Sequence, residues 1–225
     1  MGSKKSLIVF ALVALLSLTG SDCTLVISSG GGSTHHDKNK DPDPAPPPAL
    51  TLTPGAGIQS GLFIDAPVAG VRYVSGTLTG ITDDRGEFRY PAGETVRFFI
   101  GDIALGTAVQ GKAVITPLDL VPDGTLDSPA VINIARLLQS LDSQPGDARI
   151  TIPAELQAAA VHSNPSLSAA IRDLDFDDET AFLNAAAGLI AVLTADYPFT
   201  AVLVDADSAR RHMHESLGHT GVTHP

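Results

Sequence analysis

The densest set of side chains able to do chemistry is the acidic run Asp173, Asp175, Asp177, Asp178 and Glu179. Calcium binds where several hard oxygens converge, and carboxylates at 173, 175 and 177 have the alternating spacing of the first three ligands of a helix–loop–helix calcium loop. The template then breaks. Asp178 stands where the loop needs glycine for its sharp turn, and Asn184 where it needs a bidentate glutamate. The same acids suit a helix start, with Asp177 or Asp178 as N-cap and the others beside the positive end of the dipole. Calcium at Asp173, Asp175, Asp177 and Asp178 is therefore the one cofactor these residues could hold, and otherwise no cofactor is expected.

Histidines 212, 214, 219 and 224 crowd the C-terminus. Zinc or copper needs imidazoles that converge, and a helix pairs ligands at i and i+4, so His212 and His214 fall on different sides. His35 and His36 beside Asp37 are adjacent polar residues in a tract without apolar periodicity. Of the usual catalytic motifs, the chain has no Gly-x-Ser-x-Gly elbow, His-Glu-x-x-His pair or phosphate-cradling glycine loop. His162 has no nucleophile placed near it by the pattern. Asp83 and Glu87 are a carboxylate pair of the kind glycoside hydrolysis uses at the right separation, which makes a carboxylate-dependent hydrolase one alternative function.

The 225 residues are 44% hydrophobic and 17% charged with a net charge of −11, which excludes a wholly disordered chain or a small disulfide scaffold. The excess acid also argues against a nucleic-acid partner, which needs clustered Lys and Arg to neutralise phosphate. Lys4 and Lys5 precede an uninterrupted apolar run from Leu7 to Leu16, followed by small polar residues. This is the pattern of a secretory signal over 1–22, too short for the ~20 residues of a membrane-spanning helix. Its removal takes away Lys4, Lys5 and Asp22 and leaves the remainder more acidic still.

Cys23 is the only cysteine and sits just past the apolar run, a position that resembles the lipobox of bacterial lipoproteins. The resemblance implies lipidation of Cys23 and a membrane partner reached through that lipid. Gly20, Ser21 and Asp22 depart from the Leu-small-Gly/Ala residues of that box, Asp22 most of all. The alternative is ordinary cleavage nearby and a free thiol in an oxidising compartment. Thr24 after the cysteine is compatible with outer-membrane sorting, by resemblance only.

From 23 to 57 the chain is rich in Gly and Ser and then in Pro, with Pro42, Pro44 and Pro46 to Pro48 favouring polyproline II. It lacks the apolar surface that offsets ordering entropy and is expected to be an unfolded tether with a reach on the order of 30–60 Å.

These segments precede the elements that must position any site. Over 58–121 short runs of Val, Ile, Phe, Tyr and Thr alternate with Gly, Asp and Pro, the rhythm of an antiparallel sandwich, with strands over 61–64, 71–74, 77–82, 87–90, 95–100, 103–108 and 112–116. Asp83 to Gly86 reads as a turn and Gly101-Asp102 as a two-residue hairpin. Over 122–218 the period becomes helical. Ser128 is the expected N-cap of a helix with Pro129 at its first position and Val131, Ile134, Ala135, Leu138 and Leu141 on one stripe. Further helices are expected over 154–161, 167–174, 178–193 and 207–217, the last stopped by Gly218, with a disordered tail over 219–225. Strands first and helices later predict an α+β fold, an N-terminal β-sandwich followed by four to five helices.

The motif Val68-x-Gly70-x-x-Tyr73, and Thr82, Asp83, Gly86, Phe88 and Tyr90 in the hairpin that follows, resemble the transthyretin-like or carboxypeptidase regulatory-like sandwich of bacterial exported proteins. The stretches 116–121 and 133–142 look like its continuation in lipoproteins, and the likeness runs over about 61–217. It implies export and architecture, and it carries no catalytic residues. Relatives of this kind often have an Asp- and Gly-rich loop suited to calcium after the first helix; here, in 142–147, only Asp142 and Asp147 are left. The expected function is an exported, lipid-anchored envelope protein, held at the outer membrane, acting as a non-catalytic binding or structural module. A calcium-binding surface protein is the other alternative. With no Trp and 5% aromatics, a protein or glycan ligand is left unidentified.

Overall fold

The structure, a computed structural model, describes residues 57–220, with side chains to 218. The signal over 1–22, Cys23, the tether up to 56, His35, His36 and His224, and the side chain of His219 lie outside the described residues.

Among the described residues ten strands come mostly before the helices: β1 (Ile58–Phe63), β2 (Val68–Ala69), β3 (Arg72–Ser75), β4 (Leu78–Ile81), β5 (Glu87–Pro91), β6 (Thr95–Ile100), β7 (Ile103–Ala104), β8 (Val109–Gln110), β9 (Val114–Ile115) and, after the first helix, β10 (Ile150–Thr151). One sheet has the order β5-β1-β9, and another β4-β3-β6-β7 with β8 also on β6. Most pairs are antiparallel, as the hairpin signals predict. The pairs β1–β9 and β2–β10 are parallel, because β9 and β10 each return after a long excursion.

Alternation does the local work. Phe88 and Tyr90 on β5, and Val96, Phe98 and Ile100 on β6, turn inward while their neighbours face outward. Phe63 of the first sheet stacks on Phe98 of the second at 4.3 Å, and Phe88 meets Phe98 edge-on at 5.2 Å. Asp83 closes its turn by accepting the Arg85 and Glu87 N–H groups, with Gly86 at φ 76°. The expected strand over 103–108 ends at Ala104, since Gly106 turns the chain at φ 68° against the Leu120 carbonyl.

The helices are α1 (Pro129–Ser140), α2 (Ala154–Ala159), α3 (Ser168–Asp173), α4 (Glu179–Leu193) and α5 (Ala206–Thr220). Ser128 occupies the N-cap position of α1, but its hydroxyl accepts the Thr125 N–H at 3.0 Å instead of a helix N–H. Asp178 does cap α4, accepting from Thr180 and Ala181. Gly218 does not stop α5, which runs on to Thr220.

Helix α1 is the hinge of the packing. Ile134, Leu137, Leu138 and the following Leu141 join the strand aromatics and α4 in one core, so sheets and helices share buried surface. On the other side Val131, Ile132 and Ala135 pack with Ala209 and Met213 of α5. The single stripe expected on α1 is thus buried on two faces, because α5 covers the second. Among the described residues no helix is long and apolar enough to cross a membrane.

Candidate functional site

Strand β1 leads through Ile64 into a two-residue turn, Asp65-Ala66, closed by a bridge from Ile64 to Pro67. Ala66 sits at φ 60°, the left-handed region that suits glycine, at a cost of order 1–2 kcal/mol. Asp65, beside it in the turn, points inward. Its side chain is wholly buried, and its Oδ2 accepts the Gln139 Nε2–H of α1 at 2.9 Å. Its Oδ1 lies 3.0 Å from Nδ1 of His212 on α5. With both donors in place the carboxyl group is satisfied without water.

The contact with Asp65 assigns the His212 Nδ1 as donor, which leaves Nε2 for the exposed side, where the side chain is 40% open. The hydrogen bond that His212 donates to Asp65 raises the His212 pKa above its ordinary 6.5; burial opposes this, and the charges of Asp65, Glu215 and Asp142 reinforce it. One turn along α5, the Ser216 hydroxyl accepts the Ala66 N–H at 3.1 Å. The turn and α5 are therefore joined by adjacent polar contacts.

Above this junction opens a cleft of about 420 Å³, with Ile64, Pro67 and Ala148 on its apolar side and His212, Glu215 and Ser216 along α5. Its size and mixture of apolar walls with a few fixed polar groups are those of a small-ligand site. His212 supplies either a lone pair or an N–H at Nε2 according to pH, and the Ser216 hydroxyl, already accepting, has its proton to donate.

The acids singled out by spacing go to different partners. Asp173 is exposed and forks onto Arg172 at 2.8 and 3.2 Å, which lowers its pKa. Asp175 accepts the Asp177 N–H, and Asp178 caps α4. Glu179 reaches the Arg136 guanidinium at 2.9 Å. Asp142 and Asp147 accept backbone N–H groups of their own loop and its exit. Among the described residues no three His, Cys, Asp or Glu side chains converge to hold a metal. Asp83 and Glu87 share Arg85, at 3.7 and 2.9 Å, and the Glu87 N–H lowers the Asp83 pKa. A general acid needs the opposite shift. His162 is exposed, and it is its backbone N–H that donates to Asp102. His214 points away from His212 and is exposed.

Asp65 belongs to no local motif, because its partner is 147 positions away. The available signal was an acid set among Phe63, Ile64, Ala66, Pro67 and Val68, which in a buried strand end demands donors from elsewhere. Comparisons with protein-family models, curated proteins and solved structures give no match.

Proposed function

We propose that the chain is an exported, lipid-anchored envelope protein whose domain is a non-catalytic binding module, with the cleft over Asp65 and His212 as its binding site. The observation that carries the binding reading is the cleft itself. A buried carboxyl group fixed by donors from two helices, a strained turn and an open apolar wall meet at one place. The export reading rests on Lys4 and Lys5, the apolar run 7–16, Cys23 and the Pro-rich tether. The finer fold reading is a transthyretin-like sandwich, supported by the Phe63–Phe98 stack between two sheets; the parallel pairs β1–β9 and β2–β10 are additions to that pattern. Display on a tether is the mechanism: the lipid holds the chain at the outer membrane and the tether lifts the cleft clear of it.

Two experiments test the two halves. In a bacterial host, wild-type chain incorporates labelled palmitate and fractionates with membranes, and Cys23→Ala does neither; a Cys23→Ala chain that keeps its membrane association contradicts the anchor. A fragment screen by ligand-observed NMR gives hits on the wild type that are lost on Ala148→Trp, which fills the rim of the cleft from an exposed position. Hits unaffected by that change, or none, contradict the cleft.

A further inference from the structure

Between α4 and α5 the chain crosses the surface in a second arrangement that binding in the cleft does not use. Residues 200–205 run without helix, turn or bend. Ala201 and Leu203 pack against the main core, whereas Val202 between them is 69% exposed, the most exposed large apolar side chain among the described residues. This is the in-and-out period of a half-buried strand. It has no ladder. Among the described residues, no hydrogen bond joins the N–H or C=O of Thr200, Ala201, Val202 or Leu203 to any group.

Both ends of the segment are fixed. Upstream, the Tyr197 hydroxyl donates to the Leu141 carbonyl at 2.7 Å and its ring packs on Phe199 at 5.3 Å. Downstream, the Val204 N–H donates to Ser140 at 2.9 Å and its carbonyl accepts from Arg136 at 2.7 Å. In an extended chain, neighbouring residues turn their N–H and C=O to opposite sides. Val204 is committed to α1, so Ala201 and Leu203 present theirs on the free side. At the upstream end of the segment a cleft of about 440 Å³ opens between the C-terminal end of α4, at Ala191 and Thr194, and the stretch Tyr197 to Ala201. A fixed, open strand edge is a template for another strand.

Charge selects the occupant. No charged residue lies between the exposed Asp196 and Asp205. An antiparallel pairing of two copies over 200–204 would set each Asp205 opposite Phe199 of the other and gather Asp205 and Asp196 at the same end, where like charges repel. A strand with basic ends meets attraction instead. We propose that residues 200–204 are the acceptor strand for an extended, β-branched peptide of a partner protein that carries basic residues at its ends.

The test uses the mature protein and a fluorescein-labelled synthetic peptide of alternating Thr and Val with a lysine at each end, read by fluorescence anisotropy. Saturable binding is expected. N-methylating alternate peptide residues removes ladder donors and weakens binding about tenfold or more. Replacing the lysines by glutamates weakens it as well. Ala201→Pro, which deletes one outward N–H, weakens binding to a similar degree with the melting temperature retained; should that variant fail to fold, Val202→Lys, at an exposed site, gives the same loss through repulsion. No binding, or equal binding of the methylated and unmethylated peptides, overturns the proposal. A self-dimer in light scattering that Ala201→Pro or Val202→Lys abolishes and the peptide does not disrupt also overturns it, in favour of a second copy.

Discussion

Replacing His212 by alanine isolates the contact on which the cleft is built. The variant removes the 3.0 Å hydrogen bond and leaves the buried Asp65 with Gln139 alone. An unsatisfied buried acceptor costs about 1–3 kcal/mol, and because His212 is half-open the expected loss is about 1–2 kcal/mol. For a domain of this size that is about 3–6 °C in melting temperature. The pH dependence carries the sharper test. The folded-state pKa of His212 is raised above 6.5, so the protonated imidazolium's contribution is complete below pH 6.5 and is lost as pH climbs through the folded value. Calorimetry from pH 5.5 to 8.5 should show wild type and His212→Ala farthest apart at the acidic end and converging toward pH 8.5. His212→Gln, with a neutral amide donor, should recover part of the loss and flatten the pH dependence. Equal melting temperatures throughout, or a gap that widens with pH, would refute the assignment.

Other substitutions test how the site is held. Arg136→Met deletes donors to the Val204 carbonyl, Asn133 and Glu179 and should cost about 2–3 kcal/mol, with faster amide exchange at Val204. Asp178→Ala removes the α4 cap and should cost about 1 kcal/mol in chemical denaturation. Gly70→Ala puts a Cβ on the Ile152 carbonyl at φ 84°, beside the β2–β10 pair, and should cost about 2–3 kcal/mol by the same measurement.

Much of the fold was legible because its signals are local. Pro129 and the apolar spacing announce α1, Asp83 to Gly86 is a turn by side-chain chemistry, and β5 and β6 alternate cleanly. What escaped depends on distance. Strands β2, β8 and β10 have two residues each, too few for a period, and exist through the pairing they find. The second buried face of α1 needs α5 in place before it can be recognised. The acids of 173–179 looked like a cluster because they are close in sequence, yet local hydrogen bonding sends them to Arg172, to the backbone and to Arg136. Asp65 and His212 looked unrelated for the converse reason, since only the folded chain brings a strand-end turn beside the last helix.

The proposed function requires a mature chain that is cut, lipidated and displayed. Intact mass of the protein extracted from bacterial membranes reads all of this at once: the prediction is a chain that begins at Cys23 and carries the added mass of a lipid on that residue. A chain that retains Met1 to Asp22, or one cut nearby with an unmodified Cys23, would contradict it.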